Sequence, residues 1–150
     1  MIKRLDLKDK DTAKKVLELQ VLSYTIEAEL IGFDGIPPLK DTMDSLKDCD
    51  ESFYGYFIDG VLAGITSYKT IENILDIYRV AVHPHFFRRG IAQQLLSFLE
   101  KLEGTIDRII VCTGKENIPA VRLYLKNGYE KTRDIEISKD IYLTEFEKIL

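Results

Sequence analysis

Cysteine is scarce: Cys49 and Cys112 lie far apart, in neither a CxxC pair nor a Cys/His cluster. That spacing fits reduced thiols and offers no disulfide framework and no structural zinc site, so no metal is expected. Long hydrophobic runs are missing too. Charges break every apolar stretch well short of the ~20 residues a membrane span needs, so no spanning helix and no membrane partner are expected. The N-terminal stretch MIKRLDLKDKDTAKK has no apolar segment followed by a small-residue cleavage site. A cytoplasmic protein is therefore the default expectation. An excess of positive charge is also lacking, since the net charge is -4. Nucleic-acid binders rely on a basic face that neutralises many phosphates, so no nucleic-acid partner is expected and any bound anion should be small and locally held. Neither GxxxxGK[ST] nor GxGxxG occurs, which removes the usual signatures of nucleotide hydrolysis and dinucleotide binding.

What is present suits one folded unit. A chain of 150 residues, 45% hydrophobic and 31% charged, has ordinary globular composition, and at this size folding hides roughly 70% of the unfolded surface. IKRLDL predicts a short first strand. DKDTAKKVLELQVLSYTIEAEL then takes a helical period, with Val16, Leu19, Leu22 and Ile26 on one face and Asp11 or Thr12 as N-cap. GFDGIPPL, Gly32 to Leu39, must leave the helix, and a second short helix is expected near Thr42 to Lys47.

SFYGYFI and VLAGITSYKTI flank Asp59-Gly60 and predict a hairpin; after Glu72 and Asn73, ILDIYRVAVHP supplies a third strand ended by Pro84. Ile91, Leu95, Leu96, Phe98, Leu99 and Leu102 form the apolar face of a helix whose Gln93, Gln94, Glu100 and Lys101 point outward. RIIVCTG reads as a buried strand. NIPAVRLYLKNGY reads as a helix with Asn117 as N-cap, Pro119 in its first turn and Gly128 beyond its end. YEKTRDIEI and IYLTEFEKI are the last strands, and late strands are candidates for pairing between subunits of a homodimer. Without repeats or a linker, this order indicates a single α+β (mixed α/β) domain over residues 1–150.

HPHFFRRGIAQQLL, His83 to Leu96, is a cationic, glycine-hinged corner between the third strand and the helix. A helix start leaves several backbone N–H groups without intrahelical partners, which makes a small-anion site. Gly90 allows close backbone approach, Ala92 keeps the first turn narrow, and Arg88 and Arg89 add positive charge beside the helix dipole. A pyrophosphate suits these features, and a plain solvated helix start suits the stretch alone as well.

Together with NIPAVRLYLKNGY downstream, this corner resembles the paired acyl-CoA signatures of the GNAT N-acetyltransferase superfamily. In that family a strand ends in a V-x-P-like sequence, passes through [QR]-x-x-G-x-[GA] and opens a long helix. Phe87, Arg88, Arg89, Gly90, Ile91 and Ala92 occupy those positions, with Phe87 in place of the leading Gln or Arg. Asn117, Ala120, Leu123, Tyr124, Gly128 and Tyr129 match the second signature. The resemblance implies a central, mostly antiparallel twisted sheet of about six to seven strands flanked by about four helices.

The resemblance also implies acetyl-CoA as co-substrate, with the backbone of Val80, Ala81 and Val82 pairing with the pantetheine amides and Phe87 to Ala92 holding the pyrophosphate. Asn117 would reach the pantetheine arm, and Tyr124 would protonate or hydrogen-bond the departing thiolate. The reaction implied is transfer of an acetyl group to a primary amine, on a small molecule or a peptide, by direct attack in a ternary complex. A catalytically silent acyl-CoA sensor is the alternative.

A lysine-like amine of pKa ~10.4 must lose a proton before it attacks. Asp76 is the preferred base, with Glu72 or a water chain as alternatives; even positions from Asp76 through Tyr78 to Val82 are expected to share one strand face. His83 and His85 are expected to shape the corner. Protein N-terminal acetylases of the family often carry Glu five residues before the motif Asn, where Cys112 stands here, which argues against a ribosomal-protein substrate. Acceptor choice is expected from the first helices and their loop, with Tyr24, Glu27, Glu29, Asp34 and Pro37, whose acidic character suggests a cationic amine.

Overall fold

The computed structural model describes residues 1–102 and 104–150. β1 (Ile2–Leu5) leads into α1 (Lys10–Ile31), capped by Asp9, whose Oδ2 accepts from the Thr12 amide at 3.1 Å. The cap thus precedes the expected Asp11 or Thr12, because Asp9 already supplies the side-chain acceptor that the first turn needs. The buried face of α1 is Ala13, Val16, Leu19, Gln20, Tyr24 and Ile31, whereas Leu22 is exposed. Apolar periodicity alone misplaced this stripe, since the polar Gln20 and Tyr24 hold inward positions where they find partners.

A 3-10 turn (Pro37–Lys40) and the short α2 (Met43–Lys47) follow, α2 opening on a reciprocal capping box between Thr42 and Ser45. β2 (Ser52–Ile58), β3 (Val61–Ile71) and β4 (Ile74–Val82) form the expected antiparallel meander, with the β2–β3 turn at Asp59 and Gly60, φ 48° and 79°. α3 (Ile91–Glu100), β5 (Arg108–Gly114), α4 (Ile118–Lys126), β6 (Glu130–Ser138) and β7 (Ile141–Ile149) complete the chain.

Among the described residues the strands make one seven-stranded sheet in the order β1-β2-β3-β4-β5-β7-β6, antiparallel except where β4 meets β5. That parallel pair needs a crossover, which α3 provides. One face of the sheet packs on α1 and α2 through Val16, Leu19, Leu46, Phe53 and Ile65. The other packs on α3 and α4 through Leu75, Leu96, Leu99, Ile109 and Tyr124. No described helix is long and apolar enough to cross a membrane.

Two of the expected outward positions on α3 are engaged instead. Gln93 and Asn127 exchange amide hydrogen bonds of 2.6 and 2.7 Å, and Glu100 accepts from the Tyr129 hydroxyl and from Lys148, both at 3.1 Å. Helical periodicity could not anticipate this, because the partners come from the end of α4 and from β7.

The feature that positions the site is a break in the β4–β5 ladder. Pairing runs only from Ile74↔Arg108 to Ile77↔Val111. Just beyond, the adjacent β3 residues Ser67 and Tyr68 face Arg79 and Ile77, which leaves Tyr78 as an extra residue on β4. A bulge bends its strand and disrupts the local ladder, and β4 and β5 part here to open a cleft.

Candidate active site

The cleft between the splayed ends of β4 and β5 has a volume of about 1210 Å3 and is walled by α1, the Phe33–Pro38 loop, the corner before α3 and the first turns of α4. It gathers Tyr24, Glu27, Asp76, Val80, Val82, Phe87, Arg88, Gly90, Ile91, Ala92, Asn117 and Tyr124 on one surface. Ala81 and Arg89 are the exceptions. The Ala81 side chain is buried in the core beneath α1, and the Arg89 guanidinium stacks 5.2 Å from the Phe86 ring centre. The two arginines of the corner therefore differ: Arg88 lines the cleft and Arg89 braces the turn.

At the corner, the His83 amide donates to Ala63 O at 2.8 Å, and the His83 imidazole caps the Pro84–Phe86 turn by accepting from the His85 amide at 3.1 Å. Both histidines thus have shaping contacts. Arg88 and Gly90 have left-handed backbone, φ 64° and 74°, before α3 begins. The first helical bond is Gln94 N–H to Gly90 O at 3.0 Å, so the amides of Ile91, Ala92 and Gln93 have no intrahelical acceptor. A Cβ placed on Gly90 would meet nothing within 4 Å, so glycine is required for its backbone angle and leaves open space at the helix mouth.

At the other end Tyr124 is 3% exposed and tilted against Tyr129 and Phe146 at 5.7 and 5.3 Å. Burial, then the nearby Glu27 carboxylate and Cys112, push its phenol above the ordinary value. Asn117 caps α4, its Oδ1 accepting from the Ala120 amide at 3.5 Å. Its Nδ2 donates to Glu27 Oε1 at 2.6 Å and to Thr113 Oγ1 at 3.3 Å, while the Thr113 hydroxyl donates to the same Glu27 oxygen at 3.2 Å. Both polar atoms of Asn117 are thus engaged within the protein. Burial raises Glu27, against the lowering effect of these two donors. Tyr24 is also raised, by burial and then by Glu27, with the Val80 backbone acting in the opposite direction. Val80 lines the cleft with Tyr24.

The bulge corrects one expectation directly. Asp76 pairs with Lys69, and Arg79 and Ala81 pair with Ser67 and Ile65, whereas Val80 and Val82 pair with Thr66 and Gly64. With Tyr78 inserted, Asp76 therefore shares a face with Arg79 and Ala81, not with Val80 and Val82, because one extra residue inverts the alternation. Burial raises the Asp76 carboxyl, with Glu145 and Glu51 adding to the effect. Glu72 sits exposed in the β3–β4 turn with φ 56° and does not line the cleft.

The most important residue not anticipated is Arg79. Its guanidinium donates to Gln20 Oε1 at 3.0 Å, pairs with Asp41 at 3.3 Å and Glu51 at 3.5 Å, and stacks 5.0 Å from the Phe53 ring centre. Asp41 in turn accepts from Gln20 Nε2 at 3.0 Å and from the Ser45 hydroxyl at 2.9 Å. This buried network ties β4, next to the bulge, to α1 and to the segment that joins α1 to β2. The available signal was a lone arginine inside the apolar run ILDIYRVAV.

Known proteins share this architecture. The PaiA N-acetyltransferase of Thermoplasma acidophilum, solved in complex with coenzyme A, superposes with a TM-score of 0.77 over 97% of this chain and 96% of that one, at 21% identity. A GNAT family acetyltransferase from Elizabethkingia anophelis with acetyl-CoA bound gives 0.75 over 100% and 97%, at 17% identity. The ribosomal-protein-S18-alanine N-acetyltransferase of Escherichia coli gives 0.75 over 98% and 90%, at 13% identity. At these identities the likeness is one of fold. The UPF0157 protein YqkA of Bacillus subtilis (strain 168) is 36% identical over 146 residues, which are 97% of this chain and 43% of that protein, so this chain spans less than half of its curated relative. The family model for the acetyltransferase (GNAT) family matches residues 14–129, a segment that carries the bulge, the corner and α4. The chain belongs to the GNAT family of acetyltransferases, which draw their acetyl group from acetyl-CoA.

Proposed function

We propose that residues 1–150 act as one cytoplasmic N-acetyltransferase domain that transfers an acetyl group from acetyl-CoA to a cationic primary amine, on a small molecule or a peptide, by direct attack in a ternary complex. The observation that carries this reading is that Val80, the open α3 N-terminus and the buried Tyr124 all line the one cleft beside the β4 bulge. The edge of β4 from Val80 to Val82, no longer paired with β5, suits the amides of pantetheine. The backbone of Phe87 to Ala92, with Arg88 and Lys126 beside it, suits the pyrophosphate. Asn117 keeps its place beside the pantetheine path while its side chain holds Glu27.

In the reaction the amine nitrogen attacks the thioester carbon and the C–S bond breaks with its electron pair going to sulfur. A free phenol of pKa ~10 is already a weaker acid than a thiol of ~8.5, so full proton transfer would be about 2 kcal/mol uphill in water. Burial moves Tyr124 further in that direction. Its role is therefore to hydrogen-bond the developing thiolate, in concert with bond cleavage. At the acceptor end Tyr24, Glu27 and Asp76 line the cleft, together with Glu51 already paired to Arg79, and the Glu27 and Asp76 carboxylates favour an ammonium group.

The test is CoA release across an amine panel, with acetyl-CoA binding followed by calorimetry. Tyr124→Phe is expected to lower kcat by about 100-fold while acetyl-CoA affinity stays within about twofold. Unchanged turnover would remove Tyr124 from the reaction, and binding by the wild type without any turnover would favour a silent acyl-CoA sensor.

A further inference from the structure

Glu27 is a half-buried carboxylate held by neutral donors alone. Its bonds to Asn117 and Thr113 both fall on Oε1, no described hydrogen bond falls on Oε2, and no described cation pairs with it. Asn117 and Tyr124 lie seven residues apart on α4, close to two full turns, so the group that anchors Glu27 and the phenol beside the leaving sulfur share one helix face. If Glu27 only tied α1 to α4, a glutamine would accept the same bonds without the cost of burying a charge. The charge itself needs a use, and the cleft that Glu27 lines provides one.

Asp76 is placed differently. It lies before the bulge, opposite Ile110 where β4 and β5 are still paired, and Glu145, Glu51 and the cross-strand Lys69 ammonium act on its carboxyl. That setting is on the far side of the bulge from Val80.

We propose that Glu27 accepts the proton of the attacking amine, with Oε1 anchored by Asn117 and Thr113 and Oε2 offered to the acceptor nitrogen. This rests on the acetyl-transfer reading above. The ammonium first loses one proton through Glu27 to solvent. The neutral nitrogen then bonds to the acetyl carbon, the C–S bond breaks toward sulfur, and the second N–H proton passes to Glu27 and on to solvent. The thiolate, hydrogen-bonded by Tyr124, takes one proton from solvent and leaves as CoA, so each turnover releases one net proton.

The titratable groups facing Glu27 are the Tyr24 phenol on its own helix and the Tyr124 phenol on α4; β5 and the α4 cap present the uncharged Thr113 and Asn117. Because burial lifts Glu27, the acidic limb of kcat should lie above the ordinary carboxylate range. The folded state then holds this proton more tightly than the unfolded chain, so stability falls as pH rises from the ordinary carboxylate range through the raised value. Glu27→Gln, which removes the half-buried charge and keeps an acceptor oxygen, should be at least as stable as the wild type at neutral pH.

The deciding experiment is the pH profile of kcat for the full chain, read as CoA release with saturating acetyl-CoA and the best amine of the panel. Glu27→Gln is expected to lower kcat by about 10²- to 10⁴-fold, to keep the acetyl-CoA KM within about twofold, and to abolish the acidic limb. Glu27→Asp should retain a limb, and Asn117→Ala, which removes a donor to the carboxylate, should move it to higher pH. Retention of kcat within about threefold by Glu27→Gln, persistence of the limb, or its loss in Asp76→Asn instead would overturn the assignment while the transferase reading stands. If Glu27→Gln fails to fold, an unmoved limb in Asn117→Ala overturns it. A wild type that acetylates no amine would overturn the transferase reading and this assignment with it.

Discussion

At one end of the cleft the corner from His83 to Ala92 is built by neighbours in the chain, and the donors it offers are backbone amides at the start of α3. At the other end Glu27 of α1 and Asn117 at the cap of α4, 90 residues apart, meet only through their side chains, and Arg79 of β4 separately joins Gln20, Asp41 and Glu51. The first site is set by backbone angles, with Phe87 exposed and the Arg89 guanidinium turned onto the Phe86 ring. The second depends on charged side chains whose partners come from remote segments, Gln20, Asp41 and Glu51 around Arg79 and Asn117 and Thr113 around Glu27. Substitutions should therefore act on the corner mainly through geometry and on the acceptor end through uncompensated polarity.

The largest structural effect is expected at Arg79. Arg79→Met leaves Asp41 and Glu51 without their guanidinium, each side chain at 13% exposure or less. Unfolding in urea should report a loss of about 3–5 kcal/mol, as for other buried pairs broken on one side. A loss near zero would mean that the network contributes nothing net, and the contrast between the two ends would fail. Gly90→Val comes next, with about 1–3 kcal/mol of strain from a β-branched residue at φ 74°. Its side chain would also enter the open space at the helix mouth, so calorimetry should find acetyl-CoA binding weakened by about tenfold or more. Undiminished affinity would show that the pyrophosphate lies elsewhere. The smallest effect separates the two arginines: Arg88→Ala should weaken acetyl-CoA about threefold at low salt and less at high salt, while Arg89→Ala should change it by less than about twofold. Equal effects would remove the distinction between the cleft-lining and the turn-bracing guanidinium.

Much of the fold was legible because its signals are local. The Asp59-Gly60 turn, the strand ended by Pro84, the α3 core line and the Asn117 cap follow from dihedral preference and periodicity over a few residues. What escaped were places where distant partners overrule local pattern. Gln20 and Tyr24 displaced Leu22 from the buried face of α1, and Gln93 and Glu100 left the expected solvent face of α3 because Asn127, Tyr129 and Lys148 meet them. The Tyr78 bulge had no sequence signature, since nothing in ILDIYRVAV fixes which residue will lack a partner on β3. Its consequence was large, because one inserted residue moved Asp76 off the face of Val80 and Val82.

The sequence by itself determined the order of elements, the cationic corner with its glycine hinge, and the spacing of Asn117 and Tyr124 along one helix, all of which depend on contacts within a few residues. Only the tertiary structure decided where the sheet splays, which arginine faces the cleft, and that Glu27 meets Asn117 and Thr113. Those outcomes depend on register between strands and on the burial of charge, and both are fixed only when remote segments pack together.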